Sequence, residues 1–215
     1  MTLNFEDKIN SFIQFIKTCK MSNNRFNPWT QTDNSDFSKK ASDFRCENLR
    51  KYILGRPNPK FILLGESPSI GARYTGIPMT SENIINQYPN IFSEYKCTSK
   101  LKNTEEKTAN IVWAELLKYG QEKFVIWNSY AFNSNNNISW YRKASTIEKK
   151  EKRHYEILIK FFKIYSDLDI KIIAVGRDAE KACKHIGLDC NYVRHPSRGG
   201  IRLFKEQLNK IIIRY

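Results

Sequence analysis

The 215-residue sequence contains no C-x-x-C pair and no cluster of cysteine and histidine at zinc-ligand spacing. Its five cysteines, Cys19, Cys46, Cys97, Cys183 and Cys190, are odd in number and widely separated. That pattern argues against a disulfide framework, a structural zinc and an iron–sulfur cluster, so no metal site and no cofactor are expected. Long apolar runs are missing as well, which argues against a helical membrane span. The amino-terminal stretch has acidic residues ahead of most of its apolar positions and lacks a small-residue cleavage site. It reads as an amphipathic helix rather than a signal peptide, and a cytoplasmic protein with reduced thiols is the expectation. Acidic residues are in deficit: 22 Asp and Glu face 36 Lys and Arg, a formal charge of +14. The excess is spread along the chain, which predicts a basic face on a folded body. Its expected partner is a polyanion, nucleic acid before an acidic membrane surface.

What is present suits one α/β domain over 1–215, with 40% hydrophobic residues and no internal repeat. Residues 1–59 form a helical and irregular lead-in and 60–215 the α/β core. Phe61–Leu64, Phe124–Trp127, Lys171–Val175 and Asn191–Val193 read as strands. Helices are predicted over Phe5–Cys19, Ser42–Leu54 with Ser42 as its cap, Thr104–Tyr119, Thr146–Tyr165, a short stretch from a capping Asp178 to His185, and Ile201–Tyr215. Asn23–Lys40 reads as an irregular surface segment, Ile84–Asn103 as an insertion with short helical pieces, and Asn133–Asn137 as a polar loop. Strands alternating with helices predict a parallel sheet covered on both faces.

Chemistry gathers at the strand ends. The first strand stops at Gly65-Glu66-Ser67-Pro68-Ser69, the second at Asn128, and the fourth leads into His195-Pro196-Ser197-Arg198-Gly199-Gly200. Ligands of open α/β sheets bind in the crevice outside the carboxyl ends of the strands, so the topology would bring these residues to one rim. Taken singly, the first loop reads equally as a Gly-Pro turn, Asn128 as a strand-end turn residue and His195 as a structural histidine. Their joint placement points to a site.

With these motifs in this order, and with Thr75-Gly76-Ile77-Pro78-Met79 between them, residues 61 to about 205 resemble the uracil-DNA glycosylase superfamily. The resemblance implies a three-layer α/β/α sandwich around a four-stranded parallel sheet, and DNA, duplex or single-stranded with an extruded base, as the partner of a monomeric enzyme. Hydrolysing a base–sugar bond builds positive charge on the sugar and negative charge on the base. Glu66 would stabilise the first and orient the water, and His195 would donate to the base carbonyl and stabilise the second. Asn128 would read the flipped-out base with its paired donor and acceptor. Arg198 would fill the gap left in the stack. Gly199 and Gly200 would let the backbone approach a phosphate, while Pro68, Ser69 and Ser197 hold the strand around the lesion. No lysine is aligned as a Schiff-base nucleophile, so base release without strand cleavage is expected.

The chain also departs from the family pattern. Ser67 stands where some branches place a water-activating Asp or Asn, which leaves that work to Glu66. Met79 stands at the position of a base-stacking aromatic ring, and a thioether specifies shape poorly. Ser69 replaces a tyrosine that blocks the C5 position in uracil-specific members. A roomier pocket follows, open to uracil or to a larger C5-modified pyrimidine. Genome repair, antiphage excision of a hypermodified cytosine, and a catalytically inactive DNA-binding module on the same fold all remain open at this level.

Overall fold

The computed structural model describes residues 4–20, 25–101, 104–134 and 152–215. In chain order the elements are α1 (Phe5–Thr18), β1 (Arg25–Phe26), α2 (Ala41–Leu54), β2 (Phe61–Gly65), α3 (Ile70–Thr75), α4 (Glu82–Gln87), α5 (Pro89–Phe92) and α6 (Lys107–Tyr119). After a 3-10 turn at Gln121–Lys123 come β3 (Phe124–Asn128), β4 (Asn133–Ser134), α7 (Lys152–Ile164), β5 (Lys171–Val175), α8 (Arg177–His185), β6 (Asn191–Val193) and α9 (Ile201–Arg214). The apolar runs became the main sheet: four parallel strands in the order β3-β2-β5-β6, with Phe61 opposite both Phe124 and Lys171. Every residue of β2 and β3 is buried, whichever way its side chain points. Such strands need cover on both faces, and helices supply it, giving the α/β/α sandwich. On one face Trp127 of β3 stacks on Phe161 of α7, with centroids 4.4 Å apart, and meets Phe12 of α1 edge-on at 5.2 Å. Among the described residues no helix is long and apolar enough to cross a membrane.

Several local expectations are corrected. Ser42 does not cap α2; Lys40 holds that position without a side-chain bond, and a backbone turn from Ser38 leads into the helix. Asp178 lies in the first turn of α8, where a negative charge favours the helix dipole, while Gly176 is the cap. Helix α6 starts at Lys107, not Thr104. The first six residues of the helix expected from Thr146 lie outside the described residues, as do residues 135–137 of the expected polar loop, whose first two residues form β4 against β1 instead.

The largest change concerns Asn23–Lys40. Residues 25–29 are all buried and Arg25–Phe26 form β1, while most of 30–40 lies at the surface as expected, with Asp36 buried. The guanidinium of Arg45 in α2, itself fully buried, donates to Pro28 O at 2.6 Å and to Asp36 Oδ1 at 2.7 Å. Trp29 donates from Nε1 to Gly76 O at 3.1 Å. A polar sequence can be interior when its groups are paired, and these partners lie far along the chain.

Candidate active site

Strands β2 and β3 run in register so that Gly65 faces Asn128, and their pairing continues past the strand ends. Ser129 N donates to Gly65 O and Tyr130 N to Glu66 O, each at 2.9 Å. Gly65 is a close-approach glycine: a Cβ there would lie 2.7 Å from Asn128 Oδ1 and 2.8 Å from Met79 Sδ. The chain leaves β2 for β3 on one side and returns to β5 on the other, so the topological switch point falls between β2 and β5. Glu66 follows β2 directly there. Glu66 is half-buried, and its charge is one of the influences on nearby Tyr130. The Tyr130 phenol is raised above its ordinary range, first by burial, then by Tyr155 and the charges of Asp178 and Glu66.

Beside this rim lies a partly open recess. Its walls are largely apolar, with Pro28, Trp29, Pro68, Ile77, Pro78 and Trp127 among them, and its polar groups come from Asn128 and Asn133. Asn128 is only 2% exposed, and neither its Nδ2 nor its Oδ1 has a hydrogen-bond partner. Buried amides are almost always paired, and an orphaned one costs on the order of 1–3 kcal/mol per group. Such an amide, one donor beside one acceptor, is built for an occupant.

The remaining predicted residues divide. Pro68 lines the recess. Ser69 caps α3, accepting from Ala72 N at 3.2 Å, and its hydroxyl donates to the Glu106 carboxylate. Ser67 is half-buried in the bend just before Pro68. Met79 is buried with positive φ (50°), its sulfur turned toward Gly65 and its carbonyl accepting from Trp113 Nε1 at 3.1 Å. It therefore stands behind Asn128, while Trp29 supplies an aromatic wall of the recess.

The second motif forms a tight loop between β6 and α9. Ser197 N donates to His195 Nδ1 at 3.1 Å, and the Ser197 hydroxyl lies 2.8 Å from the same nitrogen. A nitrogen that accepts from a backbone N–H carries no proton, so the neutral ring holds its proton on Nε2. Arg198 and Gly199 both have left-handed backbones, at φ 51° and 75°, and Arg198 is exposed. A Cβ at Gly200 would sit 2.1 Å from His195 O, so no larger residue fits that turn.

Sequence reasoning missed Pro28, Trp29, Asn133 and Glu106. The first two sit in a stretch with no periodicity, and Asn133 in a run of asparagines. Glu106 had a signal only in retrospect, as an acid just ahead of α6. No protein family and no curated protein matches the sequence. Among solved structures, wild-type SMUG2 from Pedobacter heparinus has the same fold, with a TM-score of 0.66 over 99% of this chain and 98% of that one, at 16% identity.

Proposed function

We propose that the protein is a monofunctional DNA glycosylase, acting as a monomer on a base swung out of the DNA. The observation that carries this reading is the Asn128 amide, buried at the carboxyl end of β3 with both polar atoms unpartnered on the wall of a largely apolar recess. Residues at the neighbouring strand ends fit the reaction. Glu66 carries negative charge toward the sugar as the glycosidic bond breaks and orients the incoming water. His195 offers Nε2–H to the base carbonyl, where negative charge develops. The Ser197 N–H bond to Nδ1 leaves Nε2 as the donating nitrogen of the neutral ring. Arg198 enters the vacated position in the stack, and Ser197, Gly199 and Gly200 meet the phosphate beyond it, with Pro68 and Ser69 on the near side. The fold shared with SMUG2, of the uracil-DNA glycosylase superfamily, supports the same class of chemistry. Ser67 has no ionisable group, so water activation falls to Glu66.

The excised base is uracil or a larger C5-modified pyrimidine. The short Ser69 side chain, turned onto Glu106, and the withdrawn Met79 favour the larger base, and with it an antiphage rather than a repair role. The test is release of free base from single- and double-stranded oligonucleotides carrying uracil, hypoxanthine or 5-substituted cytosines. Glu66→Ala and His195→Ala should each slow release by roughly 10²-fold or more while DNA binding stays within a fewfold. Intact binding with no release from any substrate would leave a DNA-binding module in place of an enzyme.

A further inference from the structure

Asn133 differs from Asn128 in one respect that bears on which base enters. Its Nδ2 donates to two backbone carbonyls of the first motif, Ser69 O at 2.7 Å and Pro68 O at 3.3 Å. Reversing the amide would turn its oxygen onto both carbonyl oxygens, so the orientation is set by chemistry and not by choice of assignment. The backbone holds the residue as well, since Asn133 pairs with Phe26 across the β1–β4 ribbon, and Arg25 Nη1 donates to Phe132 O at 3.0 Å. Oδ1 is then committed to the other side. It is buried, in a residue 5% exposed that lines the recess, and it has no partner.

Asn128 can present its amide either way round to an occupant; Asn133 cannot. We infer that Asn133 is a specificity-determining residue whose fixed Oδ1 acceptor selects a base with an exocyclic amino group over the corresponding oxo base. A cytosine-type edge carries N3 as acceptor and two amine protons. Asn128 Nδ2 donates to N3, one amine proton goes to Asn128 Oδ1, and the second goes to Asn133 Oδ1. A uracil-type edge has a single N–H, which Asn128 uses, and turns a carbonyl oxygen toward Asn133. The recess would then hold a buried acceptor facing an acceptor, and sites built to bond a donor reject analogues that lack it.

This inference rests on the glycosylase reading, so binding and release are measured separately. The probes are oligonucleotides bearing 2′-fluoroarabino cytidine, 2′-fluoroarabino uridine and their 5-hydroxymethyl counterparts, which resist hydrolysis, beside the ordinary deoxynucleotides for release. The wild type should bind each amino base at least about tenfold more tightly than its oxo partner. Asn133→Leu, with its melting curve checked, should bring that ratio close to one. If the leucine variant does not fold, the two matched wild-type pairs decide alone. Equal or tighter binding of the oxo bases, or no binding of any probe, overturns the assignment. An amino preference in binding without release would uphold it while removing the glycosylase reading, and release without preference would do the reverse.

Discussion

Gly65 and Arg198 place opposite demands on the backbone around the site. Gly65 has no room for a methyl group, because Asn128 Oδ1 and Met79 Sδ already occupy the space. Gly65→Ala should cost about 1–3 kcal/mol in urea unfolding through overpacking, and slow single-turnover base release by roughly 10²-fold as Asn128 is displaced. Arg198 is a long side chain on a left-handed residue (φ 51°), a conformation that L-residues adopt at a cost of ~1–2 kcal/mol and glycine does not. Strain of this kind collects where a side chain is needed for function. Arg198→Gly should therefore raise stability by about 0.5–1 kcal/mol in thermal melts, the flexibility of unfolded glycine taking back part of the gain. The same variant should bind DNA more weakly, with a salt slope reduced by about one.

At the scale of elements, α3 and α6 meet through Ser69 and Glu106. Burial pushes the Glu106 carboxyl up to about 7, against the lowering effect of its bond from Ser69. Between the ordinary value of 4.5 and about 7 the unfolded chain gives up a proton that the folded one keeps. Stability then falls as pH rises through that window, and the contribution is constant on either side of it. Glu106→Gln removes this slope, so unfolding in urea at pH 5 and pH 8 should find the variant gaining on the wild type at the higher pH. The strands of the same core were legible in sequence almost to the residue: Phe61–Leu64 and Phe124–Trp127 are continuous apolar runs closed by Gly65 and Asn128, and burial on both faces leaves that signature. Helix starts were less so. Ser42 and Asp178 have capping chemistry, yet the turns at Lys40 and Gly176 begin the helices one or two residues earlier. Glu66, Asn128 and His195, the residues given roles in the proposed function, stood out in sequence because each closes or follows a strand. Trp29 and Asn133 could not, since each is placed by a distant group: Gly76 O for the indole, Pro68 O and Ser69 O for the amide.

For the whole molecule, the charge of +14 is the property that DNA would feel first. Affinity for an unmodified oligonucleotide should fall with salt on a log–log slope of about −3 or steeper, at ~0.7–0.9 per phosphate contacted. A titration between 50 and 200 mM salt measures it, and a slope shallower than about −1 would count against DNA as the partner. Within this body the lead-in is not an appendage. Arg45 fastens Pro28 and Asp36 to α2, and Trp29 reaches Gly76, so early residues wall a recess that also takes in the end of β3, while His195 follows β6. A chain emerging from the ribosome therefore carries Trp29 long before it has a His195 to work with. On the proposed reading, the nascent protein would bury its tryptophan and close most of the sheet before it gained its histidine donor, and competence would come only with the final stretch of translation.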